Sequence, residues 1–180
     1  MVYMSVKIKI IGRYYFTDKE IQNMKKMLEK TKKFNFEFAA RISSSKSQPG
    51  ELKLTCTRLG DDRSVEMPNN CGKTRIGLGV FHTHTKGTDN MSIADLENHM
   101  SSDHTIECVG GNGKISCYKR KKMKNFRENI LADIAIAKNL CNSMWMEEGN
   151  ADLIAKEISE MAAKFSAELT EKYFNRIRLL

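Results

Sequence analysis

Residues 76–95 read IGLGVFHTHTKGTDNMSIAD, and their order decides how the rest of the chain is arranged. The opening IGLGVF is an unbroken apolar and glycine run, the composition of a strand buried on both faces. His82 and His84 follow at its end, where the two-residue period of a strand aims both imidazoles to the same side. The next stretch, TKGTDNM, is polar and contains Gly87, so the chain can bend back over the strand end. Ser92 and Asp95 then form S-x-x-D, a helix N-cap with an acid in the first turn, and IADLENHM continues as a short helix. The centre of the chain is thus a strand feeding a helix.

On the N-terminal side, Val6, Ile8 and Ile10 alternate with Lys7 and Lys9, which predicts a strand over Ser5 to Gly12. Thr17 and Glu20 supply a T-x-x-E capping box for a helix whose buried stripe is Ile21, Met24, Met27 or Leu28, and Thr31, ending near Lys33. In FNFEFAARI, Phe34, Phe36, Phe38, Ala40 and Ile42 share one strand face, placing the Glu37 carboxylate on the opposite one. A turn over Ser43 to Gly50 leads to a strand through Leu52, Leu54 and Cys56. Leu59 to Thr74, polar and bearing Gly, Pro and Asn-Asn, reads as a long exposed loop.

On the C-terminal side, ECVGGNGKISCYKR is a hairpin, with Gly111-Asn112-Gly113 supplying the positive backbone angles of its turn. Ile130, Ile134, Ala137, Cys141, Met144 and Trp145 make one helical stripe. Ile154, Ile158, Met161, Phe165, Leu169, Tyr173 and Ile177 make a second, separated from the first by Glu148-Gly149-Asn150. The order β-α-β-β-β-α-β-β predicts a mixed α/β fold, α+β-like, in which a mixed sheet is flanked by helices and followed by a C-terminal helical hairpin. The expected division is a main α/β domain over 1–122 and a helical extension over 123–180.

A chain of 180 residues with 41% hydrophobic and 29% charged residues can bury a core without staples. It contains no run of roughly 20 apolar residues that could span a bilayer, and its first residues alternate instead of forming a signal-peptide block, so a cytoplasmic protein is expected. Five widely spaced cysteines with no CxxC pair predict buried thiols rather than a disulfide framework or a zinc ribbon. The net charge of +8 suits nucleic acid or an acidic protein partner. Only YKRKKMK, Tyr118 to Lys124, is densely basic, and it reads as a solvated strand end and helix start rather than as a phosphate patch.

Taken singly, H-x-H on a strand is a modest hint of metal and S-x-x-D is an ordinary cap. Their joint spacing is more specific: two imidazoles at a strand end and an acid at the start of the next helix would give three ligands and an open fourth position, the arrangement of a catalytic zinc ion.

The segment GVFHTHTKGTDNMSIAD resembles the signature of the JAMM, or MPN-plus, metalloproteases: H-[ST]-H, seven residues, S, two residues, D, with an upstream Glu. His82, Thr83, His84, the seven residues Thr85 to Met91, Ser92 and Asp95 fill each slot. Chance assembly at that spacing is on the order of one in several thousand for a chain of this length, using average residue usage. Glu37, followed by Ala39 and Ala40 and lying just after the first helix, resembles the setting of the family's Glu more closely than Glu51 or Glu66 does. The family usually has Pro after the second histidine, where this chain has Thr85. The resemblance covers about Val6 to Tyr118.

This resemblance implies one Zn²⁺ held by His82, His84 and Asp95, Glu37 as general base and acid, and Ser92 as a donor to the oxyanion. It implies cleavage of amide bonds beside ubiquitin-like modifiers or small β-grasp sulfur-carrier proteins. The tail of such a substrate would lie along a strand near the metal, with the loop Gly60 to Thr74 as a candidate contact. Two alternatives are a RadC-like nucleic-acid-associated protein, although RadC-like sequences have H-N-H-P-S-G where this chain has HTHTKG, and a catalytically inactive MPN scaffold. The helical hairpin could also make a homodimer.

Overall fold

The computed structural model describes residues 7–47, 49–66, 75–145 and 150–180. Its elements are β1 (Lys7–Ile11), β2 (Tyr14–Thr17), α1 (Asp18–Phe34), β3 (Phe38–Ser45), β4 (Glu51–Leu59), β5 (Arg75–Thr83), α2 (Ile93–Ser101), β6 (Ile106–Gly111), β7 (Lys114–Arg120), α3 (Phe126–Met144), α4 (Ala151–Tyr173) and β8 (Phe174–Arg178). The strands form one mixed sheet in the order β1-β2-β4-β3-β5-β6-β7-β8. Strand β5 is antiparallel to β3 and parallel to β6, so it is paired on both edges, as its continuous apolar composition predicts. No helix among the described residues is long and apolar enough to cross a membrane.

The chain divides into two compact units. The first comprises Met1–Asp89, Asp103–Lys119 and Arg176–Leu180; the second comprises Asn90–Ser102 and Arg120–Asn175. In the first, Ile21, Met24 and Leu28 of α1 pack with Phe16, Ile42, Leu52, Phe81, Ile106 and Ile115 of the sheet to form a continuous apolar core. In the second, α3 and α4 form the expected hairpin, buried along Ile130, Ile134, Ala137, Cys141, Leu169 and Tyr173, and α2 packs on both helices.

Several expectations need correction. Thr17 caps α1 without a side-chain hydrogen bond; Glu20 is buried instead, and its Oε2 accepts the Leu54 N–H at 3.0 Å. The parallel pairing of β2 with β4 stops at Phe16 and Leu52, so a β4 amide beyond it takes a side-chain acceptor. Helix α1 runs through Phe34 and ends at Asn35 in the left-handed region, φ 56°, so Phe34 and Phe36 are exposed and β3 begins only at Phe38. There is no wall of aromatics opposite Glu37. Strand β3 extends through Ser45 into the expected turn, and Ile177 belongs to β8, not to a helix.

Cys108 and Cys117, expected as thiols, are joined by a disulfide across the β6–β7 hairpin, where they are direct register partners. The hairpin turn itself is as expected, with Asn112 and Gly113 at φ 51° and 77°. The end of the predicted Leu59–Thr74 loop, residues 67–74, lies outside the described residues.

Candidate metal centre

His82 and His84 lie at the exit of β5, on the sheet face opposite the apolar core that receives Phe81. Ala39 of β3 stands directly across from His82 and is fully buried, so a small side chain leaves the imidazole its space. Glu37 precedes β3, two residues before the Ala39 that pairs with His82. Glu37 is buried, 8% exposed. Its amide donates to Asp61 O and its carbonyl accepts from Gly60 N, both at 2.8 Å.

Thr83, between the histidines, points to the other side and ties the local frame together. Its hydroxyl accepts the Phe38 N–H at 2.9 Å and lies 2.6 Å from the Thr31 hydroxyl of α1. The residue that follows Glu37 is thereby fixed to the residue that separates the imidazoles.

Each imidazole has an oxygen near its Nδ1 atom. His82 is 2% exposed, and its Nδ1 lies 3.3 Å from Oε1 of the buried Glu107, a β6 residue that sequence reasoning missed. His84, half-buried, places Nδ1 3.0 Å from the Thr88 carbonyl. The Thr88 carbonyl beside His84 Nδ1 puts that ring's hydrogen on Nδ1 and leaves its lone pair on Nε2, whereas the buried His82 Nδ1 makes no hydrogen bond among the described residues and faces the Glu107 carboxylate by charge alone. The two Nε2 atoms are 3.1 Å apart. At that distance the two nitrogens either share one hydrogen or hold a cation between them. Nitrogens tetrahedrally bound to one zinc at about 2.05 Å would be about 3.3 Å apart.

Two glycines shape the loop around His84. A Cβ on Gly87 would lie 2.8 Å from His84 Nδ1, and one on Gly111 would lie 2.2 Å from the Thr88 oxygen. Both positions admit only glycine because ring and carbonyl pack onto bare Cα atoms. Thr85, the residue after the second histidine, donates its hydroxyl to Asp62 O at 2.8 Å, which ties the loop after β4 to the exit of the histidine strand.

In the second unit, Ser92 and Asp95 form the expected capping box at the start of α2. Asp95 Oδ2 accepts both the Ser92 amide and the Ser92 hydroxyl at 2.7 Å, and the Asp95 amide donates to Ser92 Oγ at 3.1 Å. The single hydroxyl hydrogen of Ser92 is therefore directed at Asp95. One donor atom from each of His82, His84 and Asp95 lies within 4.8 Å of the others, a group that could hold a metal ion. Glu51 opens β4 and Glu66 pairs with Arg58 at 2.5 Å; neither belongs to that group.

No protein-family model matches this chain, and no curated protein matches it.

Beside His84 the first unit has a groove of about 390 Å³, lined by Lys25, Leu28, Glu29 and Lys32 of α1, with Thr85 and Asn112 opposite. Leu28 is buried, while Lys25 and Lys32 are exposed, and neither lysine is in an ion pair among the described residues.

Proposed function

We propose that this chain is a zinc-dependent amide hydrolase of the JAMM type, acting at the C-terminal end of a ubiquitin-like or small β-grasp protein. The observation that carries the reading is the facing pair of Nε2 atoms at the end of β5, in a group that includes Asp95. Zinc held there would supply Lewis acidity, acidifying a water and polarising the scissile carbonyl. His82 and His84 would bind it through Nε2, and Asp95 through the carboxylate that Ser92 orients. Glu37, buried just before β3, would take the proton of the attacking water and deliver it to the leaving nitrogen as the C–N bond breaks. Ser92 could donate to the developing oxyanion only by turning its hydroxyl away from Asp95.

The test is metal content followed by turnover. Protein purified without chelator is expected to contain one zinc per chain and to cleave modifier–peptide fusions. Chelator should abolish cleavage and added zinc should restore it. Absence of stoichiometric zinc would establish the inactive scaffold instead. DNA affinity that falls steeply across a salt series, without peptide cleavage, would establish the nucleic-acid reading.

The groove beside His84 suits an extended segment with an apolar side chain on Leu28 and an acidic one near Lys25 and Lys32. Reversing both charges, Lys25→Glu with Lys32→Glu, is expected to raise KM about 10-fold for peptides with Glu near the cleaved bond. It should lower KM for the Lys counterparts and leave kcat unchanged. A variant with the wild-type preference would remove this assignment.

A further inference from the structure

We infer that Arg176 is a positioning residue for His84, acting from β8 through Asp89 and the Thr88 carbonyl; this rests on reading His84 as a metal ligand. Asp89 follows Thr88 in the loop after β5 and is 4% exposed. Its Oδ2 accepts the Ser116 hydroxyl at 2.6 Å and pairs with Arg176 Nη2, while Arg176 Nε donates to the same Ser116 Oγ at 2.8 Å. Arg176 thus uses two nitrogens at once, gripping the carboxylate directly and through the hydroxyl.

The main chain of Asp89 is held as well. Its carbonyl accepts the buried Tyr118 hydroxyl at 2.6 Å. Burial pushes the Tyr118 phenol up to about 12, so it remains a donor through the neutral range. Burial opposes ionisation of Asp89, but the hydrogen bonds from Ser116 and Arg176 outweigh it and hold its carboxyl below the usual range.

These contacts fix the residue immediately after Thr88, and Gly111 fixes Thr88 itself by lying against its oxygen. That oxygen lies 3.0 Å from His84 Nδ1. Release of Asp89 would let the Thr88 carbonyl swing, and the imidazole would lose the partner that sets both its orientation and its tautomer. Outer partners of ligating histidines typically govern metal affinity by about 10- to 100-fold.

The experiment compares wild type, Arg176→Gln, Arg176→Lys and Leu179→Ala. Leu179 is a buried residue three positions further on, whose amide bonds to Ile115 O, so its truncation loosens the same segment without touching Asp89. Co²⁺ affinity is expected to fall about 10- to 100-fold in Arg176→Gln and less in Arg176→Lys, and to stay at the wild-type value in Leu179→Ala. In metal-free protein, the NMR signal of the His84 Nδ1 hydrogen should be protected from exchange in the wild type and Leu179→Ala, and lost in Arg176→Gln. Wild-type affinity and a retained Nδ1 signal in Arg176→Gln would overturn the inference. Equal weakening in Leu179→Ala would also overturn it, because general loosening would then suffice. A wild type that binds no Co²⁺ yet loses its Nδ1 signal on Arg176→Gln would refute the metal reading while leaving the positioning role intact.

Discussion

Glu37→Gln is expected to hold zinc as the wild type does while losing about 10²- to 10⁴-fold in kcat, the usual contribution of a positioned general acid–base. Glutamine keeps the size and an acceptor oxygen of glutamate, so the frame built by Asp61, Gly60 and Thr83 around this residue stays in place. What it lacks is a site that can take a proton and return it. Zinc titration and steady-state cleavage of the same preparation decide the matter. Equal kcat in the two proteins sinks the assignment, and a variant that no longer binds zinc makes Glu37 a ligand.

His82→Ala and His84→Ala are both expected to abolish tight zinc binding, yet to differ in stability. Truncating His82 removes the imidazole beside a carboxylate that is itself almost solvent-free, 3% exposed. Breaking such a buried pair costs about 3 kcal/mol or more. His84 is half-buried, and the partner it loses is a backbone carbonyl in an exposed residue, Thr88, that water can satisfy, so its truncation should cost about 1 kcal/mol. Urea unfolding of the metal-free proteins measures the difference. His82→Ala combined with Glu107→Gln should recover part of the larger loss. If the two single variants are equally stable, Glu107 does not orient His82.

The sequence made the local grammar of this centre legible. The apolar run ending in two histidines, the S-x-x-D cap and the Asn112-Gly113 turn are each set by neighbours within a few residues, and each is found where it was expected. What escaped depends on pairing between distant strands. Glu107 is one polar residue at the start of an apolar strand, and its meaning appears only when β6 lies parallel beside β5. Glu20 has the spacing of a capping box, but a distant β4 amide competes for its carboxylate and wins. Period-3.6 counting ran past Tyr173 because Ile177 fits the helical stripe, whereas the sheet draws that segment into β8. The disulfide was within reach: Cys108 and Cys117 are equidistant from the Asn112-Gly113 turn, so counting outward along the hairpin sets them opposite each other.

Arg176–Leu180 belong to the same compact unit as both histidines, although the long helices α3 and α4 separate them in the chain. During synthesis this unit cannot finish folding as its first residues emerge, because the arginine that grips Asp89 is made after both helices. Domains generally fold as units, N-terminal ones first during synthesis. Here closure of the histidine-bearing unit waits for translation to reach residue 176, so the two histidines are made long before the arginine that completes their unit.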